Sequence, residues 1–307
     1  MTDTRFGIRP PGYRLPEALT LGAVRLQVSD LDRSLAFYQR VLGLTVRSRA
    51  AGAASLGAAG ASAPLVVLET RPSVRPASPR ATLGLYHFAI LLPSRADLGR
   101  FIAHLADTGE RVGMADHLVS EAVYLTDPDG LGIEVYADRP RATWRPQPSR
   151  AAGTVELAMA TEPLDAADLI AAAGGTRWDG MPAGTVMGHV HLHVGNLDEA
   201  ADFYHAALGF DKVVWSYPGA LFLSAGGYHH HLGTNTWARG PRPDPDQARL
   251  LSWDLVLPRV DDAAAAARSL TAAGHDVHEE DGAITAVDPW GTALRITAAA
   301  TSEETEQ

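Results

Sequence analysis

Ala23–Leu44, AVRLQVSDLDRSLAFYQRVLGL, and His189–Phe210, HVHLHVGNLDEAADFYHAALGF, are two copies of one pattern, and two looser copies begin at His87 (HFAILLPSRADLGRFIAHLADTG) and Ser252 (SWDLVLPRVDDAAAAARSLTAAG). Each opens with residues that alternate with period two, as a strand does. Each continues with helical apolar spacing, as in Leu31, Leu35, Phe37, Tyr38 and Leu42 or Leu197, Ala200, Ala201, Tyr204 and Leu208. Asp30 and Asn196 stand where an N-cap belongs, and Gly43, Gly109, Gly209 and Gly274 where the helices should stop. Short β-rich runs follow each helix: PLVVLE, EAVYLTDPDGLGIEVY, ALFLSAGGYHHHLGTN and ITAVDPWGTALRIT. Every unit therefore reads as strand, helix, then about three strands, and repeats of this kind fix an architecture before any local assignment does.

The four starts are 64, 102 and 63 residues apart. The longer middle interval holds a Pro- and Arg-containing connector with one expected helix near Leu164–Ala173. The expected organisation is 1–147, carrying βαβββ modules at 20–75 and 84–138; a connector at 148–186; and 187–307, carrying modules at 187–237 and 249–298. Residues 1–18 and the tail TAAATSEETEQ read as solvated ends without function.

Composition narrows the chemistry. The 307 residues are 46% hydrophobic and 20% charged with a net charge of −10, which disfavours nucleic acid or anionic lipid as partners. No apolar run approaches a membrane span or a signal core, so a cytoplasmic protein is expected. With no cysteine there is no disulfide, thiolate metal site or cysteine nucleophile. Metal ligands must come from His, Asp and Glu.

The strings VRLQVSDLDRSLAFYQRVLGL, DPDGLGIEVY, GHVHLHV and GGYHHHLGTNTW together resemble the vicinal oxygen chelate superfamily of glyoxalases, bleomycin-resistance proteins and extradiol dioxygenases, and most nearly its catechol 2,3-dioxygenase-like branch. The resemblance covers residues 20–298. It implies an α+β fold in which four βαβββ modules form two cupped mixed β-sheet barrels. It also implies a divalent metal held by a His at the start of an opening strand in each of two modules and a Glu on a closing strand. The opening slots hold Ala23, His87, His189 and Ser252. Aligning DPDGLGIEVY with DPWGTALRIT sets Glu134 against Arg295. The only complete ligand set is His87, Glu134 and His189, so modules 2 and 3 are expected to share the metal cup and modules 1 and 4 a cup without metal. Two imidazoles and one carboxylate suit Fe(II), with Mn(II) second.

The same resemblance gives His230 the proton-transfer role and Tyr124 a hydroxyl beside bound substrate, with His117 as a further catalytic candidate. Strand alternation would send Tyr228 and His230 to one face and His229 and His231 to the other. It sets His191 and His193 on the face of His189, with a structural role favoured for both. The implied reaction is extradiol cleavage of a small aromatic diol by dioxygen. A glyoxalase-type isomerase or lyase, a metal-free bleomycin-resistance-like binder and a hydroquinone-cleaving dioxygenase are the alternatives, and a homo-oligomer is left open.

Overall fold

Strand β5 (Gly84–Leu91) divides two environments. Phe88 and Ile90 are buried against the helix layer, whereas His87 lines a cavity on the opposite side. The computed structural model describes residues 6–77, 82–149, 153–280 and 282–299, and all four βαβββ units are present among them.

Module 1 comprises β1 (Thr20–Val28), α1 (Leu31–Arg40), β2 (Thr45–Ala50), β3 (Ala53–Gly57) and β4 (Val66–Thr70). In module 2, β5 is followed by α2 (Arg95–Thr108), β6 (Gly113–Asp116), β7 (Ser120–Thr126) and β8 (Gly132–Asp138). The connector contributes a short hairpin, β9 (Pro146–Pro148) and β10 (Val155–Leu157), that its sequence did not suggest, and the expected helix, α3 (Ala166–Ala172). Module 3 has β11 (Val186–His193), α4 (Leu197–Ala200, continuing through Ala201–Ala207), β12 (Asp211–Val214), β13 (Ala220–Ser224) and β14 (Leu232–Asn235). Module 4 has β15 (Arg249–Leu257), α5 (Val260–Ala272), β16 (Val277–Glu280), β17 (Ala283–Val287) and β18 (Ala293–Ala298).

The strands form two eight-stranded sheets. One runs β12-β13-β14-β11-β5-β8-β7-β6 and joins modules 3 and 2; the other runs β16-β17-β18-β15-β1-β4-β3-β2 and joins modules 4 and 1. In each, two opening strands meet antiparallel at the centre and each pairs parallel with the closing strand of its own module. The pairing inferred from ligand completeness is the observed one.

Contacts on the helix side tie the modules in the other combination. The Tyr38 hydroxyl of module 1 donates to Asp127 of module 2 at 3.2 Å, and Tyr204 of module 3 donates to Asp288 of module 4 at 2.9 Å. The Tyr of each FY pair thus holds the Asp that opens the DPDG or DPWG turn. Those aspartates also anchor their own turns: Asp127 accepts from the Asp129 and Leu131 amides, and Asp288 from those of Trp290 and Thr292. Sheet seams and helix-side ties link the four modules in a ring.

The expected caps form. Asp30 accepts from the Arg33 amide, and Asn196 from those of Asp198 and Glu199. Gly43, Gly109, Gly209 and Gly274 all have positive φ. α4 departs from expectation: after Ala200 it widens to i→i+5 bonding, with Leu208 N donating to Phe203 O at 2.9 Å. Phe203 and Tyr204 are both in the core, as Phe37 and Tyr38 of the regular α1 are.

The N-terminal expectation is corrected. Leu15 and Leu19 are buried, the Ile8 and Lys212 backbones bond reciprocally beside β12, and Arg14 forms a two-pronged pair with Asp211 at 2.9 and 2.6 Å. Apolar and charged residues scattered among prolines carried no period by which to see this. At the other end, Thr297 and Ala298 belong to β18. Residues 1–5 and 300–307 of the two tails lie outside the described residues. No helix among the described residues is long and apolar enough to cross a membrane.

Candidate metal centre

Ladder register brings the three expected ligand residues to one point. On β5, Ala89 stands opposite His189 of β11 on one side and Glu134 of β8 on the other, and His87 precedes Ala89 by two residues on the same face. Ala89 is small enough to leave the floor between them open.

The His87 Nε2 atom lies 3.1 Å from Glu134 Oε2, His189 Nε2 lies 3.2 Å from the same oxygen, and the two Nε2 atoms are 3.3 Å apart. Donors about 2.2 Å from one ion and at right angles stand about 3.1 Å from each other, so this triangle fits three adjacent ligands of an octahedral ion. All three side chains are buried. Burial pushes His87 and His189 down, with Glu134 offsetting part of the effect, so both keep a lone pair to offer at neutral pH. Burial alone would raise Glu134, but the two imidazoles hold its carboxyl well below the usual carboxylate range. A buried carboxylate with two neutral imidazoles is a charge awaiting a cation. The residues present fit a divalent metal, and they are the sole group of this kind among the described residues.

The closing strand of module 3 offers no fourth donor. Gly233 of β14 stands opposite His191 of β11, in the place that Glu134 takes opposite Ala89. A Cβ there would meet the His191 ring at 2.8 Å. The His run lies in the turn before β14, where Gly226 and Gly227 at φ +62° and +65° redirect the chain.

That turn also overrides the expected alternation. Tyr228 and His229 both reach Asp138, at 3.2 and 2.9 Å, while His230 lines the pocket with its ring centroid 4.1 Å from that of His189. His229 Nδ1 and His230 Nδ1 are 2.7 Å apart. The tautomer in which His229 donates from Nε2 to Asp138 and accepts at Nδ1 has the His230 Nδ1–H as its donor. The His230 Nε2 atom then carries the lone pair. Burial, with His189 next, pushes His230 well below its ordinary value, which keeps that lone pair free.

A second chain lies on the β7 side. His117 Nδ1 donates to the Ala160 carbonyl at 2.7 Å, which makes its Nε2 an acceptor for the Tyr124 hydroxyl at 2.6 Å. Tyr124 stands opposite Glu134 in the ladder, and burial followed by that carboxylate raises its pKa well above 10. Its hydroxyl proton thus has two acceptors, His117 Nε2 and the Glu134 carboxylate, and either leaves the phenol oxygen's lone pairs for another partner. The connector supplies the Ala160 carbonyl on which this arrangement depends.

His191 and His193 face the pocket with His189, as alternation requires, but Asn235 engages both: its Nδ2 donates to His191 Nε2 at 2.9 Å and its Oδ1 accepts from His193 Nδ1 at 2.6 Å. Asp138 and Asn235 were not singled out in the sequence, and neither His229 nor Gly233 was given a role there. Asp138 follows Glu134 by four residues at the end of the same strand, and that proximity was the one available signal.

The glyoxalase/bleomycin resistance protein/dioxygenase superfamily model matches residues 20–135 and 186–295. A protein named catechol-2,3-dioxygenase from Bacillus subtilis (strain 168) is 44% identical over 273 residues, covering 88% of this chain and 93% of that protein. Among solved structures, a putative dioxygenase from Bacillus subtilis aligns with a TM-score of 0.64 at 13% identity over 96% of this chain and 89% of its own. Glyoxalase I from Zea mays aligns with a TM-score of 0.53 at 17% identity over 92% of each chain. Both structural likenesses concern the fold.

Proposed function

Because the chain belongs to the glyoxalase/bleomycin resistance protein/dioxygenase superfamily, we propose that it is an Fe(II)-dependent extradiol dioxygenase that opens a catechol-type ring beside its diol. The observation that carries this reading is the three-donor set of His87, Glu134 and His189 with Gly233 where a fourth ligand would stand. Three protein ligands would leave a bound ion open to the two oxygens of a diol and to dioxygen. A glyoxalase-type reaction is disfavoured because an enzyme of that type adds a second carboxylate ligand on the partner module's closing strand, where Gly233 stands. A metal-free binder is disfavoured because it has no use for a buried His–His–Glu cluster. The identity of the curated relative supports a dioxygenase in the same direction.

His87, Glu134 and His189 would hold the ion. Iron(II), when bound, supplies the redox chemistry that joins a diol and dioxygen, and Mn(II) is the second choice. The rest of the work belongs to the chain. A catechol that gives up one hydroxyl proton and keeps the other needs a base for the first and a hydrogen-bond acceptor for the second, and both face the pocket. His230 takes the first at Nε2, with Asp138 and His229 fixing the tautomer that leaves this atom unprotonated. Tyr124 accepts a hydrogen bond at its phenol oxygen while its own proton leans on His117 Nε2 or the Glu134 carboxylate. His230 can return its proton to oxygen as the ring opens.

Anaerobic reconstitution with Fe(II), followed by catechol and air, tests the proposal. A yellow ring-cleavage product is expected, and absence of ring cleavage with both Fe(II) and Mn(II) refutes it.

A further inference from the structure

The pocket above the triad has a volume of about 650 Å³, within the range of sites that enclose ligands well beyond a single ring. Its charged lining is one-sided. Glu134 is the one carboxylate residue among the lining residues, whereas Arg111, Arg242 and Arg249 contribute three guanidinium groups. In a chain of net charge −10, this is not the by-product of a basic surface.

Arg249 is the most telling of the three. It opens β15, so it reaches the pocket from the sheet opposite the one that carries the triad. Its Nε is buried without a hydrogen-bond partner, and no carboxylate pairs with it among the described residues. The nearby acids are spoken for: Asp246 pairs with Arg71 at 2.9 Å and Asp244 with Arg75 at 3.5 Å. Burial and the like charge of Arg71 both bear on Arg249 and pull its pKa down. Arg242 is held differently, donating to the Pro289 carbonyl and packing against Gly291, where a Cβ would come within 3.1 Å of its Nη1. A cation held in a pocket wall without a counter-charge is costly unless the ligand brings one.

We infer that Arg249, with Arg242 in the same wall, receives a carboxylate-bearing side chain on the aromatic substrate, distant from the diol. The inference rests on the extradiol reading for the diol end alone. The substrate class is then a catechol with an acidic substituent, and Arg249 sets the preference for it.

Anaerobic calorimetry on the Fe(II)-loaded protein tests this with three probes: catechol, 3-(3,4-dihydroxyphenyl)propionate and the primary amide of that acid. The acid is expected to bind about tenfold to a hundredfold more tightly than the amide, the range for a hydrogen bond to a charged group. Arg249→Gln should reduce this preference below about threefold and leave catechol affinity unchanged, and Arg249→Lys should retain part of it. Equal binding of acid and amide by the wild type, lack of binding by both, or a preference that survives Arg249→Gln overturns the inference. Admitting air to the same samples separates the two claims. An acid preference without ring cleavage upholds the anion subsite and removes the dioxygenase, and ring cleavage without the preference does the reverse.

Discussion

The two sheets share a strand order and a seam register, yet among the described residues only one face gathers a set of His and Glu donors. In the sheet of modules 2 and 3, Ala89 lies between Glu134 and His189. In the sheet of modules 4 and 1, Arg25 takes the place of Ala89, opposite Ser252 on one side and Val67 on the other, and Asp254 faces Arg295 where His191 faces Gly233. The result is an ion cluster, with Asp254 3.7 Å from Arg25 and 3.3 Å from Arg295. Each face thus gathers charge at the same point of the fold. One leaves its carboxylate to a cation from solution, and the other supplies guanidinium groups from its own chain. The fold provides the convergence, and the residues at a few ladder positions decide what converges.

The largest expected effect breaks this contrast outright. Glu134→Ala should reduce bound metal from about one ion per chain to below about a tenth, with loss of ring cleavage, as read by elemental analysis. Two tightly held ions in the wild type would instead show that the Arg25–Asp254–Arg295 face binds metal too. His104→Ala is the control, since His104 sits on α2 and bonds the Arg40 carbonyl at 3.0 Å, away from the cup; metal content should not change.

The next effect sharpens the contrast by separating proton handling from metal binding. His230→Gln and Asp138→Asn should each retain iron and bind catechol while slowing turnover by ~10²–10⁴-fold. Iron loss in His230→Gln would make that residue a ligand, and unchanged rates in both variants would shift proton transfer to Tyr124 and His117.

A third effect concerns acid sensitivity, which should belong to the His-lined sheet. His231 accepts from the Ala225 amide at its Nδ1, and burial, with the neighbouring His229 next, pushes its pKa down to about 3. The unfolded chain takes up this proton near 6.5 and the folded one does not. The stabilisation is therefore complete above about pH 6.5 and is lost as pH falls toward 3, at about 1.4 kcal/mol per unit. Urea titrations of the metal-free protein at pH 7 and pH 5 should differ by about 2 kcal/mol from this group alone, and His231→Gln should remove that share.

The smallest effect lies in the other sheet. Asp254→Ala leaves Arg25 and Arg295 facing each other half-buried, and should cost about 1 kcal/mol of stability with ring cleavage and metal content unchanged. A change in catalytic rate would mean that the two faces communicate.

The parts of this organisation that were legible in the sequence are those set by repetition. FYxxxLG recurs in modules 1 and 3, DPxG in modules 2 and 4 and the opening alternation in all four, so the module count and the central strands could be read by superposing copies, and the family resemblance then marked His87, Glu134 and His189 as the complete ligand set. The places where the reading failed are single occurrences. The Gly226–Gly227 turn has no counterpart to align with, so strand alternation was extended through a segment that bends. Asp138 matters because it meets a histidine some ninety residues further along the chain, a relation that no local pattern encodes. The N-terminal segment packs by shape and one ion pair, and the connector's contribution to the site is a backbone carbonyl, which any residue supplies.

The ring of modules has a consequence for synthesis. The seam that pairs Arg25 with Ser252 joins segments roughly 230 residues apart, so as the chain emerges from the ribosome module 1 must wait for module 4 before its sheet can close. During that interval β1 presents an unpaired edge of apolar residues, Val24, Leu26 and Val28 among them. Modules 2 and 3 can close earlier, so the cup that holds the histidines is complete while the sheet of modules 4 and 1 is still half made. Truncation within module 4 should therefore yield a chain that aggregates through β1 even though every residue of the candidate metal centre is present.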